Sequence, residues 1–292
     1  MISTPKVKIW LVIILFSVLV PSSFAATVNQ TLYINNGSFT TVNNTTFPYL
    51  AFNATPVFNA RNEVINVTTS DTLIIKVINN DSVIHGFEVQ NIAGTVATIN
   101  PADSISDTLT FTSERIHIYF DNYLYPNYRY MGLAGMICVN NSTTDKKFYW
   151  NIKEHQTNYN NQIVTGTPVN WAMYEPDYFT INGLSHPDLE TDITAKVLGN
   201  IGDTMHIFMS NSGQSVHSIH FHGFHCRILF SSAGPLQTDR IKDTFSVKSM
   251  EAVVLEMIPD KLGEYTVHDH NLVAVSGGGI HPNGMMIIMK IE

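Results

Sequence analysis

Two short stretches near the C-terminus concentrate donor atoms for a transition metal. One reads His217-Ser-Ile-His220-Phe-His222-Gly223. The other reads His268-Asp269-His270, followed by His281-Pro-Asn-Gly-Met285. Residues two apart on a strand share a face, so His220 and His222 lie on one face of the first segment, and His268 and His270 on one face of the second. If the segments are neighbouring strands, roughly 4.8 Å apart, four imidazoles converge on a small volume and form a donor set suited to copper, zinc, iron or nickel. The plain alternative is four hydrogen-bonded histidines without metal, which requires both segments to share this parity by accident. Asp269 points the other way, inward, where His217, His281 and Met285 are expected to converge. A buried carboxylate must be paired or metal-bound. Either His217 and His281 bind a metal together with Asp269, or Asp269 accepts a hydrogen bond from one of them in a metal-free network. If Asp269 instead faces the outer metal, it is a candidate for moving protons in catalysis.

Other reactive residues carry weaker signals. Cys226 lies four residues past His222, with the same parity if the strand continues, so it is either a displaced thiolate ligand or a buried inert thiol. His225 reads as a surface or supporting residue. His117, His155, His186 and His206 belong to no constellation and read as structural. Ser218 lies beside the histidines but lacks the strained turn and helix of an activated nucleophile. No phosphate loop or dinucleotide fingerprint is present.

The elements that must position the histidines are strands. Of 292 residues, 44% are hydrophobic and 14% charged, the balance of a folded chain, and the length suffices for two domains. The net charge of -8 argues against nucleic acid as a partner. Lys6 and Lys8 precede an apolar run, Ile9 to Val20, and then Pro21-Ser-Ser-Phe-Ala25. This reads as a signal peptide over residues 1–25 and an exported mature chain; a retained anchor is the alternative, though the run is short for a membrane span. Asn-x-Ser/Thr triplets at Asn29, Asn36, Asn43, Asn44, Asn53, Asn66, Asn80, Asn140 and Asn141 are consistent with a secreted or cell-surface glycoprotein. Cys138 and Cys226 are the only cysteines and read as buried free thiols.

Short β runs broken by turns extend from Thr27 to about Val139: Val64–Val67, Thr72–Ile78, Val83–Val89, Ser106–Thr112 and Ile116–Phe120. Residues 149–176 are polar and without clear period, and read as a linker between a first domain at 26–148 and a second at 177–292, with Phe148–Ile152 a candidate strand on the way. The second half repeats the first. A shift of 132 positions places Asp71 on Asp203, Ile75 on Ile207, Asn79 on Asn211 and His85 on His217. After a longer insertion, Phe120-Asp121-Asn122 aligns with His268-Asp269-His270, and Gly135-Met136 falls near Gly284-Met285. The expected architecture is all-β: two copies of one β-sandwich. Where the second copy has His220, His222, His268 and His270, the first has Glu88, Gln90, Phe120 and Asn122. The first copy is therefore ligand-poor, and its His85 reads as a core or interface residue.

These residues resemble the cupredoxin superfamily, within it the two-domain multicopper oxidases and copper nitrite reductases. The likeness covers most of the mature chain and is strongest from Phe179-Thr-Ile-Asn-Gly183 onward. The resemblance implies two cupredoxin-like Greek-key sandwiches, copper as cofactor, and His217, His220, His222, His268, His270, His281 and Met285 in ligand positions. It also implies a small-molecule substrate such as oxygen, nitrite or another nitrogen oxide, an external electron donor, and a homotrimer in which Glu88, Gln90 and Asn122 of a neighbour face the histidines. His270-Asn-Leu272 is similar to the His-Asn-Leu of nitrite reductases. Departures accompany the likeness. Asp269 stands where the family's type 1 copper has cysteine. In the first domain, Asp121, Tyr128 and Leu133 stand where a nitrite reductase has cysteine, histidine and methionine. Gln90 and Phe120 replace its two type 2 histidines. Two functions follow: a copper oxidoreductase, or a non-catalytic copper-binding or structural module that has lost the type 1 site.

Overall fold

The computed structural model describes residues 25–292, so the expected signal segment lies outside the described residues except for Ala25. The first sandwich comprises β1 (Thr27–Thr40), β2 (Thr46–Asn53), β3 (Val64–Val67), β4 (Thr72–Asn79), β5 (His85–Val89), β6 (Ala97–Ile99), β7 (Ser104–Thr110), β8 (Arg115–Phe120) and β9 (Ala134–Val139). The second comprises β10 (Lys147–His155), β11 (Tyr178–Ile181), β12 (Leu198–Gly199), β13 (Met205–Asn211), β14 (His217–Phe221), β15 (Cys226–Ser231), β16 (Ile241–Lys242), β17 (Thr244–Val247), β18 (Ala252–Met257), β19 (Gly263–Asp269) and β20 (Met286–Ile291).

Alternation selects the core face. In β4, Leu73, Ile75, Val77 and Asn79 are buried while Ile74 and Lys76 face water. Each such aliphatic side chain contributes roughly 1.5–3 kcal/mol when fully buried. The sheets run β2-β1-β4-β7 and β3-β9-β8-β5-β6 in the first domain. Their counterparts are β11-β10-β13-β18, extended by β15 and β16, and β12-β20-β19-β14-β17. The repeat thus holds at the level of strand order, including the parallel pairs β1 with β4 and β10 with β13. One buried asparagine marks the same corner in each copy. Asn79 donates to the carbonyls of Val83 and Ile99, and Asn211 to those of Ser215 and Val247.

Residues 149–176 are not a free linker. Lys147–His155 is an inner strand of the second domain's sheet, hydrogen-bonded to β11 on one side and β13 on the other. It showed no period because both of its faces are covered, with even Lys153, Glu154 and His155 buried. The chain then returns to the first domain as helix α1 (Thr157–Val164), whose Ile163 joins that core and whose Asn160 amide donates to the Pro48 carbonyl. A third apolar cluster, including Ile116, Met136, Phe208 and Val254, fills the space between the domains.

The domains are also joined by a buried cation. Arg129, fully inaccessible, donates from Nη1 to the carbonyls of Ser212 (2.5 Å) and Gly213 (2.8 Å), and from Nη2 to Gln214 Oε1 (2.5 Å). Burial holds its pKa below the usual value. Replacing Arg129 by Met keeps most of the volume but leaves these acceptors unsatisfied, at about 1–3 kcal/mol for each uncompensated group. A thermal melt of Arg129→Met is expected to show a lower midpoint; an unchanged midpoint would contradict this account of the joint.

Candidate metal centre

β14 and β19 are antiparallel neighbours with His220 opposite His268. The chain extends past β14 through His222, whose amide donates to the Thr266 carbonyl. This register places four imidazoles on one face. Ring centroids lie 4.8 Å apart for His220 and His222, 5.1 Å for His222 and His268, 5.5 Å for His220 and His270, and 5.8 Å for His220 and His268. The Nε2 atoms of His222 and His268 face each other at 3.0 Å.

Hydrogen bonds at the other ring nitrogens select the tautomers. His268 Nδ1 lies 2.7 Å from the Asp269 carbonyl, which can only accept, so the neutral ring carries its proton there and Nε2 keeps a lone pair. His220 Nδ1 lies 2.9 Å from Thr244 Oγ1, which in turn donates to Asp243 Oδ1 at 3.0 Å. With its hydrogen committed to Asp243, the hydroxyl accepts from His220 and leaves that Nε2 as a second lone pair. Such supporting bonds orient imidazoles for a metal. Slight burial and the neighbouring His268 and His220 lower the His222 pKa, which favours the neutral donor form. Among the described residues, no group of three or more His, Cys, Asp or Glu is placed to hold a metal ion as the side chains stand. The four rings form an open array, with His222 and His270 exposed.

Asp269 and His217 occupy the interior behind this face. His217 Nδ1 meets Asp269 Oδ2 at 2.5 Å, and Nε2 meets Glu154 Oε2 at 2.9 Å. All three side chains are almost inaccessible. Both nitrogens of His217 are therefore committed to carboxylates, and none remains for a metal. The expected inner convergence is corrected accordingly. His281 is exposed, and Met285 sits in the apolar core, touching this region through its carbonyl, which accepts from the Asp269 amide. Glu154 takes the place expected of His281. It was missed because it lies 63 residues from His217 in sequence, within the stretch read as a linker. Asp269 is sealed away from the outer rings, so the geometry offers it no direct contact with a metal on that face.

The first domain contains the same motif. His85 Nδ1 meets Asp121 Oδ2 at 2.6 Å, and Nε2 meets Asp81 Oδ2 at 3.0 Å. The amide following each histidine, Gly86 or Ser218, donates to the second oxygen of Asp121 or Asp269, as do Tyr123 and Asn271 two residues beyond those aspartates. The other acid, however, comes from different places. Asp81 lies in the β4–β5 turn; the position 132 residues later is Gly213. Glu154 lies on β10; strand pairing makes Asn36 its counterpart in β1, and that amide donates to Asp81 Oδ1 at 2.6 Å. The repeats have exchanged acid and spacer. A Cβ on Gly213 would stand 1.9 Å from Glu154 Oε2.

Burial opposes charge on His217, but hydrogen bonds to Asp269 and Glu154 and the charges of both outweigh it and raise its pKa to about 9. Burial likewise opposes charge on Glu154; the His217 hydrogen bond and charge, with the amides of Ser215 and Gln214, overcome it and lower the pKa to about 2. In the first domain, the His85 pKa is raised by its two aspartates against burial, and the Asp121 pKa is raised by burial.

Cys226 is not a displaced ligand. Gly223, at φ 79°, turns the chain out of β14, and β15 begins in the other sheet. The Cys226 thiol lies in the core, its pKa pushed up to about 12 by burial. Cys138 is likewise free and buried. Among the glycosylation triplets, Asn53 is buried and its amide donates to the carbonyls of Asn59 and Arg61, so it is not presented as an acceptor.

Residues 152–290 match the multicopper oxidase family model. The fold is similar to that of the blue copper oxidase from Nitrosomonas europaea, with TM-score 0.77 and 20% identity over 91% of this chain and 86% of that one. It is similar to the copper nitrite reductase from the same organism, at TM-score 0.72 and 17% identity over 91% and 94%. A laccase from Botrytis aclada gives TM-score 0.69 and 14% identity, over 91% of this chain and 53% of the laccase. Among curated proteins no match was found. The chain has a two-domain, cupredoxin-like fold similar to that of the multicopper oxidases and copper nitrite reductases, and its second domain matches the multicopper oxidase family model.

Two outcomes follow from the buried acids. The raised His217 pKa contributes stability that is complete below the ordinary histidine value of 6.5 and is lost as pH rises through about 9. The lowered Glu154 pKa contributes stability that is complete above the ordinary 4.5 and is lost as pH falls through about 2. Denaturant midpoints should therefore plateau between these ordinary values and decline on both sides, and Glu154→Gln should lower the plateau and shrink both limbs. Gly213→Ala should lower stability by about 1–3 kcal/mol through overpacking, measured by urea unfolding at the plateau; a neutral result would show that Glu154 can move aside.

Proposed function

We propose that this protein is an exported copper oxidoreductase that binds copper through the histidine face of its second domain and acts on a small molecule such as oxygen, nitrite or another nitrogen oxide. The observation that carries this reading is the convergence of His220, His222, His268 and His270 across β14 and β19, with two rings held in metal-binding tautomers by Thr244 and the Asp269 carbonyl. Imidazoles accept copper as they accept zinc, iron and nickel, and the likeness to copper proteins favours copper among them. Copper would supply the one-electron chemistry. The protein's own groups orient the rings of His220 and His268 and keep the Nε2 of each unprotonated.

The open array suggests that a second copy completes the site, in a homotrimer. The first domain presents the matching face at Glu88, Gln90, Phe120 and Asn122. Gln90 is already committed to the Met250 carbonyl within the chain, whereas Glu88 is held only by the Asn122 amide at 3.3 Å. An external donor would deliver electrons without a thiolate path, since the resemblance implies that Asp269 stands where the family's type 1 copper has its cysteine. A copper-binding module without turnover is the competing reading, and its distinguishing feature is that same replacement.

The test is metal content by mass spectrometry, with an electron paramagnetic spectrum, on the mature chain equilibrated with copper. At least one copper per chain is expected, with no intense thiolate band in the visible. The double variant His222→Gln, His268→Gln should lose most of that metal without unfolding. Oxygen uptake or nitrite consumption with an artificial reductant separates an enzyme from a binder. A chain that stays metal-free in excess copper would end the proposal.

A further inference from the structure

The two buried histidines differ in what lies beyond their second acid. Glu154 is sealed in, its Oε1 engaged by the amides of Gln214 and Ser215 and the Tyr174 hydroxyl. Asp81 instead lines a cavity of about 450 Å³ in the first domain, within the size range of small-molecule sites. Most of the remaining wall is apolar, formed by Leu50, Tyr128, Met131, Ile163 and Val164. Tyr128 also lies edge-on to His85, with ring centroids 4.7 Å apart.

The charge balance of this unit is uneven. Asp81 and Asp121 share a single imidazole, and among the described residues neither forms an ion pair with Lys or Arg. Two carboxylates share one imidazole, so even a protonated His85 can balance only one of them. The Asp81 side chain is 7% exposed. It accepts from the Asn36 amide and the Ser82 amide, both at 2.6 Å, and from His85 at 3.0 Å. These fill three of about four lone-pair positions on a carboxylate, with a long contact from the Ser82 hydroxyl beside them. A residual negative charge at the wall of an apolar cavity favours a ligand cation that replaces water there.

We propose that this cavity binds a small apolar molecule bearing one protonated amine, with the ammonium on Asp81 and the hydrocarbon body against Leu50, Met131 and Ile163. Tyr128 borders the same space and adds an aromatic ring that attracts a cation. A neutral molecule of the same shape keeps the apolar contacts and loses the charged one. A carboxylate of the same shape is repelled. The site lies in the first domain and is independent of the metal reading.

Benzylamine, benzyl alcohol and benzoate are suitable probes, titrated into the full mature chain and followed by calorimetry or ligand-observed NMR. Benzylamine should bind at least about tenfold more tightly than benzyl alcohol, the difference expected for one charged hydrogen bond, and benzoate should bind least. Val83→Trp, at a 41% exposed position on the cavity wall, fills the space without touching the core and should abolish binding. Asp81→Asn should erase the preference for the amine. Equal affinity for amine and alcohol, benzylamine binding that survives Val83→Trp, or no benzylamine binding at millimolar concentration would each overturn the proposal.

Discussion

An imidazole held between two buried carboxylates is the interaction on which both sandwiches depend. It occupies the same corner in each domain, where the turn after β4 or β13 meets the end of β8 or β19. Buried ionised groups are tolerable only when every charge is paired and hydrogen-bonded, and here backbone amides complete the shells of the acids. The arrangement pins strand ends together at the point where the outward side chains of β14 and β19 must keep register. The histidine face therefore stands on a rigid base made of charge rather than of metal.

That base shows how the repeats diverged. One acid, Asp121 or Asp269, keeps its place. The other moved from the turn in the first domain to the neighbouring strand in the second, with glycine left where the aspartate would be and asparagine where the glutamate would be. Two routes to the same charge arrangement indicate that the position requires a second carboxylate, whichever strand supplies it. The difference also has a consequence for access. A turn residue borders a cavity, whereas a residue near the end of an inner strand, covered on both faces, is sealed.

The parity of His220, His222, His268 and His270 could be read directly, because a strand's side-chain period is two and the histidines are chemically conspicuous. The repeat could be read as well, because buried Asn79 and Asn211 and the two histidines keep one spacing. Glu154 could not. It lies in a strand covered on both faces, so no alternation marks that strand, and its partner is distant along the chain. His281 illustrates the opposite error: the family resemblance implied a ligand position for it beside Asp269 and His217, but the loop that carries it stays at the surface. Cys226 failed for a local reason, a single glycine turn that changes sheets.

Short-range order thus decided the strands, their faces and the twofold repetition, since pleat geometry acts on neighbouring residues and leaves a period in the chain. Folding in three dimensions decided which acids close on each histidine, which nitrogen of each outer ring bears the proton, and where a cavity remains open. Those outcomes depend on contacts between segments far apart along the chain, and on the cost of leaving a charge unpaired once water has been excluded.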